Sequence, residues 1–203
     1  GQAEDYDRRR QMGNVGWGWD DVLPVFRDLE DHFLGASDVH GEGGDWRVEA
    51  PRVSWDILDA VRDAALEMGV PNSEDFNTGE NEGAGYFHVN QKAGRRWSAA
   101  RGFLKPARHR KNLRVESGAL IDKVQLEDGR ATEVMFRQNG RSLRARANAE
   151  IILCAGSIGS VQILQRSGIG PAETLKQAGV MPVVDLPGVG RNLQDHLQQR
   201  AIY

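Results

Sequence analysis

The string IILCAGSIGSVQILQRSGIG at residues 151 to 170 decides how this chain is read, because it passes from an apolar run through a Gly/Ser turn into an amphipathic helix. Ile151, Ile152 and Leu153 have the short aliphatic character of a buried parallel strand. Gly156 and Gly159 permit close backbone approach, and Ser157 or Ser160 offers a hydroxyl to cap the helix that follows. The expectation is a strand, a tight turn and a helix. Such a turn suits a phosphate-bearing cofactor, since free backbone N–H groups and the positive end of the helix dipole face the same point. Small residues also serve purely structural strand-to-helix turns, so the string alone leaves both readings open. Cys154 closes the apolar run and is expected to be a small buried residue rather than a nucleophile.

Working outward, residues 113–124, 133–137 and 142–147 are three strand candidates separated by Glu127-Asp-Gly129 and Asn139-Gly140, the second a favoured type I′ turn. They predict a β-meander feeding the apolar strand. Residues 171–179 predict a short helix started by Pro171 and ended by Gly179. Further upstream, residues 1–19 are polar and Gly-rich and read as a loop. Asp20 or Asp21 then caps a helix with Val22, Val25, Phe26 and Leu29 on one side, and Pro24 falls in its first turn. Residues 35–52 read as a loop with a short strand near Trp46 to Val48. Ser54 caps a helix carrying Ile57, Val61, Ala64, Ala65 and Met68 as a packing stripe, with Gly69 as its stop. The turn-rich residues 71–85 lead into an alternating strand at residues 86–90, and a second helix is expected over residues 98–108.

Composition removes several function classes. The 203 residues are 39% hydrophobic, enough for a core, and 26 basic against 29 acidic residues leave a net charge of −3, with no pull toward nucleic acid. The short cluster Arg108, His109, Arg110, Lys111 reads as a solvated loop. No apolar stretch approaches the roughly 20 residues that cross a bilayer. A single cysteine rules out an intrachain disulfide and fits a reducing compartment, so a cytoplasmic location is expected. The five histidines are scattered without ligand spacing, so no metal site is expected. Gly13, Gly16 and Gly18 do not follow an apolar strand, which fails the context of a dinucleotide fingerprint and removes an NAD-dependent Rossmann dehydrogenase.

Longer strings carry a resemblance. CAGSIGSVQILQRSGIGP from Cys154 and VVDLPGVGRNLQDH at residues 183–196 resemble the signature region of the glucose-methanol-choline (GMC) oxidoreductases. EDYD at residues 4–7, GNVGWGWDDVLPVFRDLE at 13–30 and AGRRWSAARGFLKPA at 93–107 are similar to the same family in the same order, with wording closest to its choline-dehydrogenase-like branch. The resemblance implies an α/β (α+β) fold: a β-meander and parallel strand-turn-helix of an FAD-binding domain at residues 109–203, part of a substrate-binding domain at 35–108, and a connecting loop and helix at 1–34. It implies an FAD-dependent oxidoreductase acting on the CH–OH group of a small alcohol, leaving the alcohol and the electron acceptor open. The family's leading βαβ fingerprint and its catalytic His with a second His or Asn are absent, and the last residues, 200–203, show no turn or cap. An internal fragment, inactive alone and without catalytic residues, is therefore expected.

By the same resemblance Ile121 contacts the adenine through its main chain, and Ala155, Gly156 and Ser157 border the adenosine and pyrophosphate end of FAD. Val161 departs from the family's usual Pro at the first helical position. Asp195 and His196 are neighbours, but the family's catalytic His lies far downstream, so His196 reads as a structural hydrogen-bonding residue. His88 lines the substrate cavity or the surface, and Arg95, Arg96 and Trp97 lie in the cavity-side segment. A non-catalytic α/β binding or structural module is the alternative.

Overall fold

The computed structural model describes residues 1–200, and the last of the chain's uncapped terminal residues read above, 201–203, lie outside the described residues. The chain divides into two compact units, Gly1–Arg114 and the remainder from Val115.

The first unit opens with helix α1 (Ala3–Gln11), where a loop is expected from sequence. Its signals are electrostatic rather than apolar. Glu4 and Asp5 sit in the first turn and Arg8, Arg9 and Arg10 in the last, matching the helix dipole, and Asp5 accepts the Gln2 N–H at 3.1 Å. Helix α2 (Trp19–Leu29) begins two or three residues earlier than expected, with Gly18 as its cap and Asp21 accepting the Gly18 N–H at 3.0 Å, so Pro24 lies beyond the first turn. Tyr6 packs against Trp19 and Phe26, with ring centroids 5.7 and 5.8 Å apart. Strands β1 (Glu30–His32) and β2 (Trp46–Val48) then pair in parallel. Helix α3 (Asp56–Glu67) has Trp55 rather than Ser54 at its cap, and it ends at Gly69 as expected, with Gly69 N–H bonded to Leu66 O and Val70 N–H to Ala65 O. Its apolar stripe is not packed: Ile57 is 60% and Met68 85% exposed.

The expected strand at residues 86–90 is reduced to one bridge, Val89 with Glu49, followed by a tight hairpin of β3 (Gln91–Lys92) and β4 (Arg95–Arg96). The expected second helix is a π-helical turn, Ala100–Leu104, running into α4 (Lys105–Ala107).

The second unit is built on the expected meander: β5 (Leu120–Glu127), β6 (Arg130–Gln138) and β7 (Arg141–Arg146), all antiparallel. Both linking dipeptides, Asp128-Gly129 and Asn139-Gly140, have positive φ at both positions, as a type I′ turn requires. A bulge falls at Asp122, between the pairs Ile121 with Phe136 and Lys123 with Met135. Helix α5 (Gly156–Arg166), strand β8 (Ile169–Gly170), helix α6 (Ala172–Gln177) and strand β9 (Val184–Asp185) complete the unit, with β8 and β9 parallel. Its core is Val124, Ile163 and Leu175, the last only 2% exposed.

The apolar run before α5 corrects the sequence reading. Residues 151–154 form no ladder, Ile152 is 72% exposed and Cys154 is exposed rather than buried. A parallel strand exists only through its neighbours, and among the described residues none pairs with this segment. Among the described residues no helix is long and apolar enough to cross a membrane.

Candidate functional site

The turn that precedes α5 keeps its backbone donors free. Ala155 is the N-cap residue and no side chain caps the helix, so neither Ser157 nor Ser160 plays the expected part. The first-turn N–H groups have no intrahelical acceptor. Ala155, Gly156 and Ser157 are all exposed. Gly156 has φ +79°, a conformation that side-chain-bearing residues rarely adopt, and a Cβ there would meet nothing within 4 Å. Small size is therefore not forced by a protein neighbour. What the turn presents is an open, donor-rich, electropositive helix end.

Ile121, the remaining cofactor candidate, is half-buried in β5. Its neighbour Asp122 is ion-paired with Arg166 at the C-terminal end of α5, and Ser167 ties the same region by accepting the Val124 N–H at 2.8 Å. Gly156 stands ten residues up the helix, about 15 Å along its axis. The structure thus places Ile121 beside one end of α5 and the 155–157 turn at the other. The four are compatible with one extended dinucleotide and not with a compact ligand. His196 lies in an exposed segment, its ring 3.8 Å from the Asp195 carboxylate, which also accepts the His196 N–H at 2.8 Å.

The first unit holds a site that the sequence does not announce. Among the described residues its most buried side chains are His32 and His40, 2% and 7% exposed. His40 Nδ1 lies 2.8 Å from Glu30 Oε2 and its Nε2 2.8 Å from Asp75 Oδ2, an arrangement suited to a ring with N–H on both sides. His32 Nε2 is 3.3 Å from His88 Nδ1, and His88 Nδ1 is 3.7 Å from Asp75 Oδ2. The His32 and His40 rings stack at 4.0 Å, with Phe33 edge-on to His88. Burial, then the neighbouring His40, hold His32 below the ordinary imidazole value against the pull of Glu30; His88 lowers it further and Asp75 raises it. Burial pushes Asp75 up, but the Asn77 N–H, the His40 hydrogen bond and the charges of His40 and His88 outweigh it, and the net shift is downward.

This gathering brings together in space three histidines that are scattered along the sequence. Residues 32, 40, 75 and 88 are separated by loops that no local spacing rule spans. The surface alternative for His88 also fails, since its side chain is 9% exposed. It lines a cleft of about 770 Å³ together with Arg96 and Trp97, so three of the residues expected on the cavity side share one wall. Trp97 is fixed there by its Nε1–H, donated to Asp45 O at 2.8 Å. Arg95 is exposed on the hairpin.

Comparison with known proteins agrees on one family. A pattern describing the GMC oxidoreductases matches residues 1–198. Human mitochondrial choline dehydrogenase is 43% identical over 198 residues, covering 98% of this chain and 33% of that protein. The crystal structure of pyridoxine 4-oxidase from Mesorbium loti superposes with a TM-score of 0.87 at 36% identity, over 97% of this chain and 39% of that one. An FAD-dependent oxidoreductase from Chaetomium thermophilum superposes with a TM-score of 0.89 at 29% identity, over 96% of this chain and 36% of that one. The chain spans about a third of the length of the curated relatives it matches.

Proposed function

We propose a function from one premise, that the chain belongs to the GMC oxidoreductase family, whose pattern it carries from residue 1 to residue 198. It is the FAD-binding and cavity-side portion of an oxidoreductase that oxidises the CH–OH group of a small alcohol. The observation that carries the cofactor reading is the uncapped N-terminus of α5, where exposed residues 155–157 present unpaired N–H groups beside a glycine at φ +79°. That fits an anionic diphosphate, which needs donors and a backbone it can approach without meeting a side chain. Ala155, Gly156 and Ser157 would hold the diphosphate end and the Ile121 main chain the adenine end, consistent with their places beside opposite ends of α5. Bound FAD would supply the two-electron acceptor for the alcohol's hydride.

The chain's own residues bind and enclose rather than move the substrate proton. None of the described histidines stands as a free base in the cleft: His88 is packed in the His32 and Asp75 cluster, and His196 is far exposed. Arg96 and Trp97 present a polar and an aromatic wall that a small alcohol can meet. The exposed thiol of Cys154 accords with a reducing compartment.

The test is a hybrid in which this chain replaces the matching third of human choline dehydrogenase, assayed by dye-linked turnover with choline and simple primary alcohols. The hybrid is expected to oxidise at least one of them, whereas the 203-residue chain alone turns over none and retains no flavin. A folded hybrid without flavin, or a yellow, active isolated chain, contradicts the reading.

A further inference from the structure

The buried cluster of the first unit is a second place where ligating side chains converge. We propose that His32, Asp75 and His88 form a binding site for a divalent transition-metal cation, with Zn²⁺ the best fit, held through His32 Nε2, an Asp75 carboxylate oxygen and His88 Nδ1.

Three observations carry this. The first is spacing: the three ligand atoms lie within 4.8 Å of one another, with His32 Nε2 to His88 Nδ1 at 3.3 Å and His88 Nδ1 to Asp75 Oδ2 at 3.7 Å. Tetrahedral zinc with bonds near 2.0–2.1 Å sets its ligand atoms about 3.3–3.4 Å apart, a spacing that the His32–His88 pair already has and the His88–Asp75 pair is near. The second is the outer layer. Asp75 Oδ2 accepts His40 Nε2–H at 2.8 Å, Asp75 Oδ1 accepts the Asn77 N–H at 2.8 Å, and His40 is anchored in turn on Glu30, which also accepts the Gly41 N–H at 3.0 Å. Ligands of bound metals are oriented by such partners. The third is shelter. Glu30 and Asp75 place two carboxylates beside the cluster, their side chains only 19% and 13% exposed, where water and salt screen their attraction for a cation less than at an open surface.

Loading requires His32 to carry its proton on Nδ1 instead of Nε2, which gives up the 3.4 Å contact from the Leu34 N–H. That contact is at the long end of hydrogen bonding, and the ring stays neutral throughout. Entry is through the cleft that His88 lines. Two imidazoles and one carboxylate make the three-ligand set of an open zinc site, and the mixed N,N,O donors disfavour Ca²⁺ and Mg²⁺.

The experiment measures Zn²⁺ bound per chain after equilibrium dialysis of the purified protein, with Mg²⁺ as competitor, and the visible spectrum of the Co²⁺-loaded protein. Wild type and His109→Ala, which alters an exposed histidine, are expected to hold one Zn²⁺ per chain, and His88→Ala is expected to lose it. His40→Gln is expected to weaken binding about 10- to 100-fold by loosening Asp75. Where His88→Ala does not fold by circular dichroism, the wild-type Co²⁺ spectrum decides: intense tetrahedral bands support the site, and weak octahedral bands overturn it. No stoichiometric Zn²⁺ on wild type, or equal Zn²⁺ on folded His88→Ala, reduces the cluster to hydrogen bonding alone and overturns the proposal.

Discussion

At the scale of single residues, Ser167 does the most with one hydroxyl. It accepts the Val124 N–H at 2.8 Å and donates to Ile163 O at 2.6 Å, buried at the junction of β5 and α5. Ser167→Ala leaves the Val124 N–H without its partner in a dry place. Urea unfolding followed by circular dichroism is expected to show a loss of about 1–3 kcal/mol, and an unchanged midpoint would mean that water reaches the amide. His32 makes a second expectation at this scale. Its folded value lies below the ordinary 6.5, so the unfolded chain binds a proton first on acidification. Stability from the neutral buried ring is full above 6.5 and is lost as pH falls from there through the folded value; Asp75, also lowered from 3.8, acts in the same direction at lower pH. All five tryptophans lie in the first unit, so with EDTA present the fluorescence-detected urea midpoint is expected to fall from pH 7 to pH 5. A flat midpoint would show that His32 is solvated.

At the scale of elements, the loop between β1 and β2 works only because it lies flat on the end of α2. A Cβ on Gly41 would stand 1.7 Å from the Arg27 carbonyl oxygen, while Gly41 O accepts the His32 N–H at 2.9 Å. Gly41→Ala must push the loop off α2 and carry His40 with it. The expected result is a thermal midpoint in the first unit lowered by a loss of about 1–3 kcal/mol, with the meander of the second unit intact by proteolysis. An unaltered midpoint would show the loop free to shift. The meander is legible in the sequence because its turn dipeptides specify both geometry and register. Helix α1 is not, since its signal is the order of charges across nine residues rather than apolar spacing. The run at residues 151–153 reads as a strand from its side chains, yet a strand is a relation between segments, and among the described residues nothing pairs with it. The histidine cluster is invisible for a similar reason: positions 32 and 88 meet through a parallel β-pair, a turn-rich loop and a single bridge. The α5 turn is legible as a small-residue motif, but its missing hydroxyl cap is not.

At the scale of the whole molecule, surface area agrees with a piece that is covered when it works. The chain exposes 15949 Å² at 22.5 kDa, where one domain of that mass exposes about 9,500 Å² and two domains of half the mass about 11,400 Å² together. The excess includes Ile57 and Val61 on α3, Phe87, Ile152 and Ile158, apolar side chains that soluble proteins seldom leave open in such numbers. The relatives it matches are about three times as long, and in them the remaining two thirds of the chain are available to cover such faces. If the turn before α5 holds the cofactor as proposed, flavin occupancy after dialysis responds to its backbone, measured in the human choline dehydrogenase hybrid carrying Gly156→Val or Cys154→Ala. The valine both opposes φ +79° and places a branched side chain in the open approach to the turn, whereas the alanine removes one exposed sulfur and leaves the backbone alone. Near-complete flavin is expected in the Cys154→Ala hybrid and most of it lost from a folded Gly156→Val hybrid; equal occupancy in the two would contradict a cofactor-holding role for the turn.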